Sequence, residues 1–128
     1  WMGVTCENQR AAEERLPVLA RIPAVHRWAS VEPLLGPIHG FTDWDFEDNC
    51  KGGCCRLDWV VVGGETGPGA RPCQLDWIRW IVEHSNATGV PCFVKQLGSN
   101  RIGKCDVSDR RGKNMAEWPT DLRVREIP

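Results

Sequence analysis

The sequence predicts an α/β domain in which short parallel strands alternate with helices. Short runs rich in β-branched apolar residues recur along the chain, and the clearest is WVVV at residues 59–62. Between these runs lie segments whose apolar residues recur with helical spacing, most regularly at residues 74–87. This alternation favours a parallel sheet with right-handed crossovers. It fits half of a (β/α)₈ barrel, whose whole length is about 250 residues, and equally a small doubly wound sheet.

The first part of the chain contains two predicted strands, at residues 1–5 and 26–31. Asn8 is suited to be the N-cap of a helix over residues 9–15. Pro17 cannot continue this helix undisturbed, so a second short helix is predicted from there through Arg21. Residues 34–38 form an apolar turn with a possible short strand after Gly36.

Residues 39–56 have no periodicity and are interpreted as an insertion loop, which at about 18 residues exceeds most connections in compact domains. The WVVV strand that follows is predicted to be buried on both faces. The helix over residues 74–87 ends before Gly89, and a further strand is predicted at residues 90–94. We expect a partial barrel at residues 1–98 and a polar C-terminal tail at 99–128, with an apolar patch at Trp118 and a possible strand at 122–124.

Polar residues follow each predicted strand and form the candidate binding site. They are Glu7, Asn8, Glu32, Gly63, Gly64, Glu65, Lys95 and Gln96, joined by Arg71 from the glycine-rich loop. The carboxyl ends of parallel strands meet at one rim, where barrel enzymes build their active sites. Three carboxylates with a lysine and an arginine indicate a ligand that carries both signs of charge. No catalytic residue follows from the spacing.

Each of these residues also has a purely structural interpretation. Glu7 could stabilise the start of the following helix through its dipole, and Lys95 could be a solvated strand end. Gly63 and Gly64 could simply turn the chain, because the loop lacks the Lys-Ser/Thr of a P-loop and the GxGxxG spacing.

The composition narrows the classes of partner. The net charge of −1 does not indicate a basic surface that would bind nucleic acid or an anionic membrane. No apolar run approaches the roughly 20 residues of a membrane span, and no signal peptide is visible. Seven cysteines without a secretion signal favour a reducing, cytoplasmic location over a disulfide scaffold.

The cysteines divide into two groups. Cys6, Cys73 and Cys92 lie at apolar positions and are predicted to be small buried hydrophobes. Cys50, Cys54 and Cys55 cluster as CxxxCC in the insertion loop. With His39 or Cys105 they could hold zinc, although free loop thiols are the favoured interpretation.

Four segments carry a resemblance to a known family: WMGVTCENQRAAEERLPVLARIPAVHRWASVEPLLGPI, LDWVVVGGETGPGARP, PCFVKQLGS and EWPTDLRVREIP. They resemble the C-terminal half of a phage- and prophage-associated family of unknown function with a three-cysteine motif, similar to radical S-adenosylmethionine enzymes. The resemblance implies the C-terminal half of a TIM-like, radical-SAM-like barrel. Because the chain begins with Trp1 inside an apolar run, we expect it to be a piece of a longer protein.

The resemblance also implies the cofactors. The family's cysteine motif, expected to hold a [4Fe–4S] cluster, lies in its N-terminal part, so CxxxCC is not that motif. The full-length protein is expected to use the cluster with S-adenosylmethionine, whereas this chain alone holds neither and is inactive. Its expected partners are the N-terminal half of the same protein and a phage-encoded protein.

The leading hypothesis is that this chain forms part of the rim of the S-adenosylmethionine and substrate pocket. One alternative is a non-catalytic phage accessory protein that binds a nucleotide or a protein partner. Another is an interaction module stabilised by zinc.

Overall fold

The structure, a computed structural model, describes residues 1–40 and 56–128. Within them, four parallel strands form the main sheet, in the order β1-β2-β3-β5, and two further strands pair as β4-β6. The elements are β1 (Met2–Thr5), α1 (Gln9–Arg21), β2 (Arg27–Val31), β3 (Trp59–Gly63), β4 (Cys73–Gln74), α2 (Leu75–Thr88), β5 (Cys92–Gln96) and β6 (Arg101–Ile102). Short 3₁₀ helices follow at Met115–Glu117 and Thr120–Leu122. The predicted α/β class with parallel strands is confirmed.

Both helices cover the same face of the main sheet. Ala29 and Val31 of β2 are paired in register with Val60 and Val62 of β3, and all four are buried. They belong to a single core cluster with apolar residues of the two helices: Ala12, Leu16 and Leu19 of α1, and Leu75, Ile78, Ile81 and Val82 of α2. The core therefore lies between one sheet face and one layer of helices.

The opposite face of the sheet is lined by wider side chains. Trp28 of β2 is paired with Trp59 of β3, and both rings are only partly buried. Val61 lies on this face, is paired with Phe93 and is 8% exposed. The prediction that β3 is buried on both faces is therefore wrong for Trp59, because among the described residues no helix packs over this side.

The two short helices predicted around Pro17 are in fact one helix, α1. Leu16 and Leu19, on either side of the proline, are buried in the same core, and this shared burial holds the helix continuous. Proline removes one backbone donor, and the carbonyl left without it belongs to the exposed residue Glu13, where water can reach it. The predicted N-cap is confirmed, since the Asn8 side chain accepts from the Ala11 N–H at 2.9 Å.

The segment after β2 is a turn held by backbone hydrogen bonds, and the short strand predicted after Gly36 does not form. The Leu34 N–H donates to the Gly63 carbonyl at 2.9 Å, and the Leu35 N–H donates to the Glu7 carbonyl at 2.8 Å. The apolar residues of this segment, which suggested a strand, pack in the core instead, where Leu34 and Ile38 are buried.

The C-terminal tail is part of the fold. Trp118 and Leu122 are buried in the core. The strand predicted at residues 122–124 is wrong in its position, because Leu122 ends a 3₁₀ helix. Pairing comes slightly later: the Val94 N–H donates to the Val124 carbonyl at 2.8 Å, and an antiparallel bridge joins Phe93 and Arg125. The tail thus occupies the outer edge of β5.

In the part of the chain that the structure describes, no helix has the length and apolar character needed to cross a membrane.

Candidate functional site

A groove of about 520 Å³ lies on the open face of the main sheet. It is lined by Trp28, Ser30, Glu32, Trp59, Val61, Phe93, Lys95, Gln96, Lys113 and Arg125. Its floor is aromatic, and its end nearest the carboxyl ends of the strands is charged. The groove can therefore contact an apolar ring and both signs of charge in one ligand.

Three of the predicted rim residues meet at the charged end of this groove. Lys95 Nζ donates to Glu32 Oε2 at 3.0 Å. Gln96 Nε2 donates to the other oxygen of the same carboxylate and to the Gly64 carbonyl at 3.0 Å. The Glu32 side chain is 20% exposed and that of Lys95 is 54% exposed, so a ligand can reach both.

The amide oxygen of Gln96 is an unpaired acceptor. Gln96 is 2% exposed, and its Nε2 is directed at two acceptors, which fixes the orientation of the amide. Its Oε1 is buried and has no hydrogen-bond partner among the described residues. An unpaired buried acceptor costs about 1–3 kcal/mol, and the burial of Oε1 keeps it out of direct contact with a ligand in this structure.

A second part of the rim is organised around Arg71. Its guanidinium donates to both oxygens of Glu65, each at 2.9 Å, and its backbone N–H donates to the same carboxylate at 2.8 Å. The Arg71 guanidinium first, and then its N–H, lower the pKa of Glu65 to about 2. Glu65 is therefore ionised and neutralised within the fold.

Glu7 lines a smaller pocket together with Arg71 and pairs with Arg15 at 2.8 Å. A hydrogen bond from its own backbone N–H lowers the pKa of Glu7, and the charges of Arg15 and Arg71 lower it further. The charge of Arg71 therefore acts on two carboxylates, Glu65 after β3 and Glu7 after β1.

The remaining predicted rim positions are explained by the fold. A Cβ on Gly64 would lie 2.6 Å from the Leu97 carbonyl oxygen, and one on Gly63 would lie 3.0 Å from Gln96 Nε2. The Gly64 N–H donates to the Gln96 carbonyl at 3.1 Å. These glycines allow the end of β3 to approach the end of β5, and Asn8 caps α1.

The aromatic floor was missed by the sequence analysis. The rings of Trp28 and Trp59 are 5.8 Å apart, and those of Trp59 and Phe93 are 6.1 Å apart. Gly3 makes room for this layer, because a Cβ there would lie 2.3 Å from the Trp28 indole. The sequence did contain a signal for this aromatic face. Trp28 and Ser30 alternate along β2 with its small apolar residues, and a period of two residues is typical of a strand whose two faces differ.

Three of the four described cysteines are buried in the core, and the fourth, Cys105, is partly buried. Cys6, Cys73 and Cys92 are buried and not disulfide-bonded, as predicted. Burial raises the pKa of each of these thiols to about 12, so they remain protonated.

The described ranges contain no group of three or more His, Cys, Asp or Glu residues that could hold a metal ion. The zinc candidates Cys50, Cys54 and Cys55 lie outside the described residues. That site stays a prediction, which metal analysis of the purified chain would test.

Comparison with known proteins provides two similarities. The model of a family described as "Protein of unknown function (DUF5131)" matches residues 1–123, which include every predicted rim residue. The mouse protein SPOC domain-containing protein 1 is 30% identical over 114 residues, covering 83% of this chain and 10% of the mouse protein. The chain therefore spans about a tenth of the length of this relative. No solved structure matches.

Proposed function

Since the chain belongs to the DUF5131 family, we propose that it forms the C-terminal part of a radical-SAM-like barrel and that its groove binds S-adenosylmethionine. The full-length protein would then be a phage-associated iron–sulfur enzyme, with this chain supplying the rim of its cofactor and substrate pocket. The observation that carries the proposal is the ion pair of Glu32 and Lys95, whose side chains are 20% and 54% exposed at the charged end of an aromatic groove.

The layout of the sheet supports the barrel. Sequential parallel strands with both helices on one face match a barrel segment, whose helices lie outside, better than a doubly wound sheet, which has helices on both faces. Parallel sheets are normally covered on both faces, so we assign the cover of the open face to the N-terminal half of the same protein. Because residues 124–126 occupy the outer edge of β5, further strands would join at β1, and the proposed barrel would stay open at β5.

The groove suits each chemical part of S-adenosylmethionine. Its volume of about 520 Å³ is within the roughly 300–1,000 Å³ of small-molecule pockets. The adenine ring would stack on Trp28 or Trp59. The ammonium group would donate to Glu32, and the carboxylate would accept from Lys95.

The [4Fe–4S] cluster implied by the resemblance does not fit the described residues. Iron–sulfur clusters are ligated by thiolates, whereas the thiols of Cys6, Cys73 and Cys92 are buried with a pKa of about 12. We therefore assign none of these three cysteines to the cluster. Cys105 is a single partly buried thiol, whereas a cluster takes four thiolates, so the ligands are left to the N-terminal half.

The test is a calorimetric titration of S-adenosylmethionine into the full-length protein and its Glu32→Gln and Lys95→Gln variants. Each substitution removes a charged hydrogen-bond partner worth about 1.5–3 kcal/mol, so we expect the Kd to rise by about tenfold or more. Glu14→Gln is the matched control, because Glu14 is an exposed carboxylate that pairs with Arg10 on α1. Wild-type protein that does not bind, or a Glu32→Gln variant that binds with unchanged Kd, would disprove the proposal.

A non-catalytic binding protein is the second candidate, because the aromatic groove and its charged end can hold a ligand without a cluster. Such a protein would use the same groove for a nucleotide or a protein partner. The visible absorbance band of an iron–sulfur cluster distinguishes the two, since the enzyme requires the cluster. A purified full-length protein that lacks the band after anaerobic reconstitution would favour the binding protein.

A further inference from the structure

A second cavity, of about 790 Å³, lies between the glycine loop at residues 67–70 and the chain that follows β5. Arg101, Arg110 and Arg111 line it, and no aspartate or glutamate does. We refer to this cavity as the arginine cleft. Its charge contrasts with the net charge of −1 of the whole chain.

No described carboxylate forms an ion pair with the arginines of the cleft, although the charge of Arg101 acts on Asp109 in the loop that follows β6. Arg101 donates to two backbone carbonyls, those of Gly98 at 2.8 Å and Val107 at 2.5 Å. Within residues 1–40 and 56–128, the guanidinium groups of Arg110 and Arg111 make no hydrogen bond or ion pair. Arg71, in contrast, is fully engaged by Glu65.

Two acidic side chains near the cleft stabilise the loop that forms one of its walls. Asp109 accepts three backbone N–H groups from residues 111–114, at 2.6–3.0 Å. Glu117 accepts from the Ser108 hydroxyl at 2.7 Å and from the Ser108 N–H at 2.8 Å. Both carboxylates therefore accept hydrogen bonds within the loop and order it, whereas Arg110 and Arg111 remain exposed at its surface.

The opposite wall is also fixed. Ser99 Oγ accepts from the Gly67 N–H at 3.1 Å, and Asn100 Nδ2 donates to the Ala70 carbonyl at 3.0 Å. Arg101 itself is anchored by the pairing of β6 with β4. The three cations are thus carried by segments that are tied together before any ligand binds.

We propose that the arginine cleft binds the phosphate groups of a small phosphorylated ligand, with a diphosphate as the best match to its charge. Guanidinium groups recognise phosphate through paired N–H donors. The cleft volume of about 790 Å³ is within the roughly 300–1,000 Å³ of small-molecule pockets. A nucleic-acid surface would instead need an extended basic stripe.

The experiment is a calorimetric titration of inorganic pyrophosphate into the full-length protein. In the Arg110→Gln/Arg111→Gln variant we expect the Kd to rise by about tenfold or more, since two charge-assisted contacts are lost. The side chains of these two residues are exposed, so the variant should fold, and circular dichroism checks this. The matched control is Arg10→Gln/Arg56→Gln, which removes the same charge from exposed positions outside the cleft.

Three results would overturn the inference: no pyrophosphate binding by the wild type, an unchanged Kd in the cleft variant, or an equal loss in the control. A parallel titration with a single-stranded oligonucleotide tests the macromolecular alternative, and binding of the oligonucleotide alone would also overturn it. The cleft and the groove share no lining residue. Loss of S-adenosylmethionine binding alone therefore counts against the proposed function, and loss of pyrophosphate binding alone counts against this inference.

Discussion

Charged residues of the rim differ in what they leave available to a ligand. Glu65 and Arg71 satisfy each other through three hydrogen bonds, whereas Glu32 is shared between Lys95 and the half-satisfied amide of Gln96. A ligand gains the most binding free energy from a polar group whose hydrogen bonds within the protein are incomplete. At the level of single residues, this makes Glu32 a stronger candidate for ligand contact than Glu65.

The Glu65–Arg71 pair predicts a pH-dependent stability. The pKa of Glu65 is lowered to about 2 in the folded chain from an ordinary value of 4.5. Its stabilising contribution is therefore complete above pH 4.5 and is lost as the pH falls towards about 2. We expect the difference in the free energy of unfolding between wild type and Glu65→Gln to shrink over that window, as measured by urea denaturation. Glu14→Gln is the control, and a difference that stays constant with pH would contradict the pairing.

The buried cysteines predict an order of alkylation. Thiolate is the reactive form, and burial raises the pKa of Cys6, Cys73 and Cys92 to about 12. Cys105 is only partly buried, so iodoacetamide should modify it before these three in the native protein. Peptide mapping by mass spectrometry measures the order at each site. Equal rates at all four positions would show that the three cysteines are accessible.

At the level of the elements, α1 depends on its cap and on the residues that flank its proline. Asn8→Ala should lower the free energy of unfolding by about 1 kcal/mol, because the Ala11 N–H loses its acceptor. Asn8→Ser should retain most of the stability, since serine caps similarly. Urea denaturation measures both variants. A neutral Asn8→Ala variant with weakened S-adenosylmethionine binding would instead place Asn8 in the binding site.

The close approach of β3 to β5 predicts that Gly64 tolerates no side chain. A Cβ there would lie 2.6 Å from the Leu97 carbonyl oxygen, and such overpacking typically costs about 1–3 kcal/mol. Gly64→Ala should therefore lower the free energy of unfolding measured in urea. Gly36→Ala is the matched control, since its Cβ would meet only Asn8 Cβ, at 4.0 Å. Equal stability of the two variants would show that the ends of β3 and β5 are further apart.

For the whole molecule, the C-terminal tail completes the core and the outer edge of β5. Trp118 is 1% exposed, and Trp118→Ala should lower the free energy of unfolding by about 3–5 kcal/mol. Trp1→Ala is the matched control, because Trp1 is 63% exposed and its removal should cost far less. Chemical denaturation followed by circular dichroism measures both. A small effect at Trp118 would mean that the tail is not part of the cooperative core.

Much of this architecture could be predicted from local sequence patterns. The β-branched runs, the helical spacing in residues 74–87, the Asn8 cap and the left-handed Gly89 each depend on a few neighbouring residues. The rim was predicted as well, because strands that run parallel bring their carboxyl ends to one edge. These features were within reach because backbone propensity and side-chain periodicity are local properties.

The remaining features required contacts between residues far apart in the chain. The Trp28–Trp59 layer, the pairing of the tail with β5 and the arginine cleft each join segments about 30 residues apart in sequence. In the same way, Pro17 remains inside one helix because the core covers residues on both sides of it. Periodicity in the sequence indicates which residues share a face of a strand or helix. Which distant segment covers that face depends on the free energy of packing the two together. Tertiary contacts therefore decided which sheet face stays open and which charges remain unpaired.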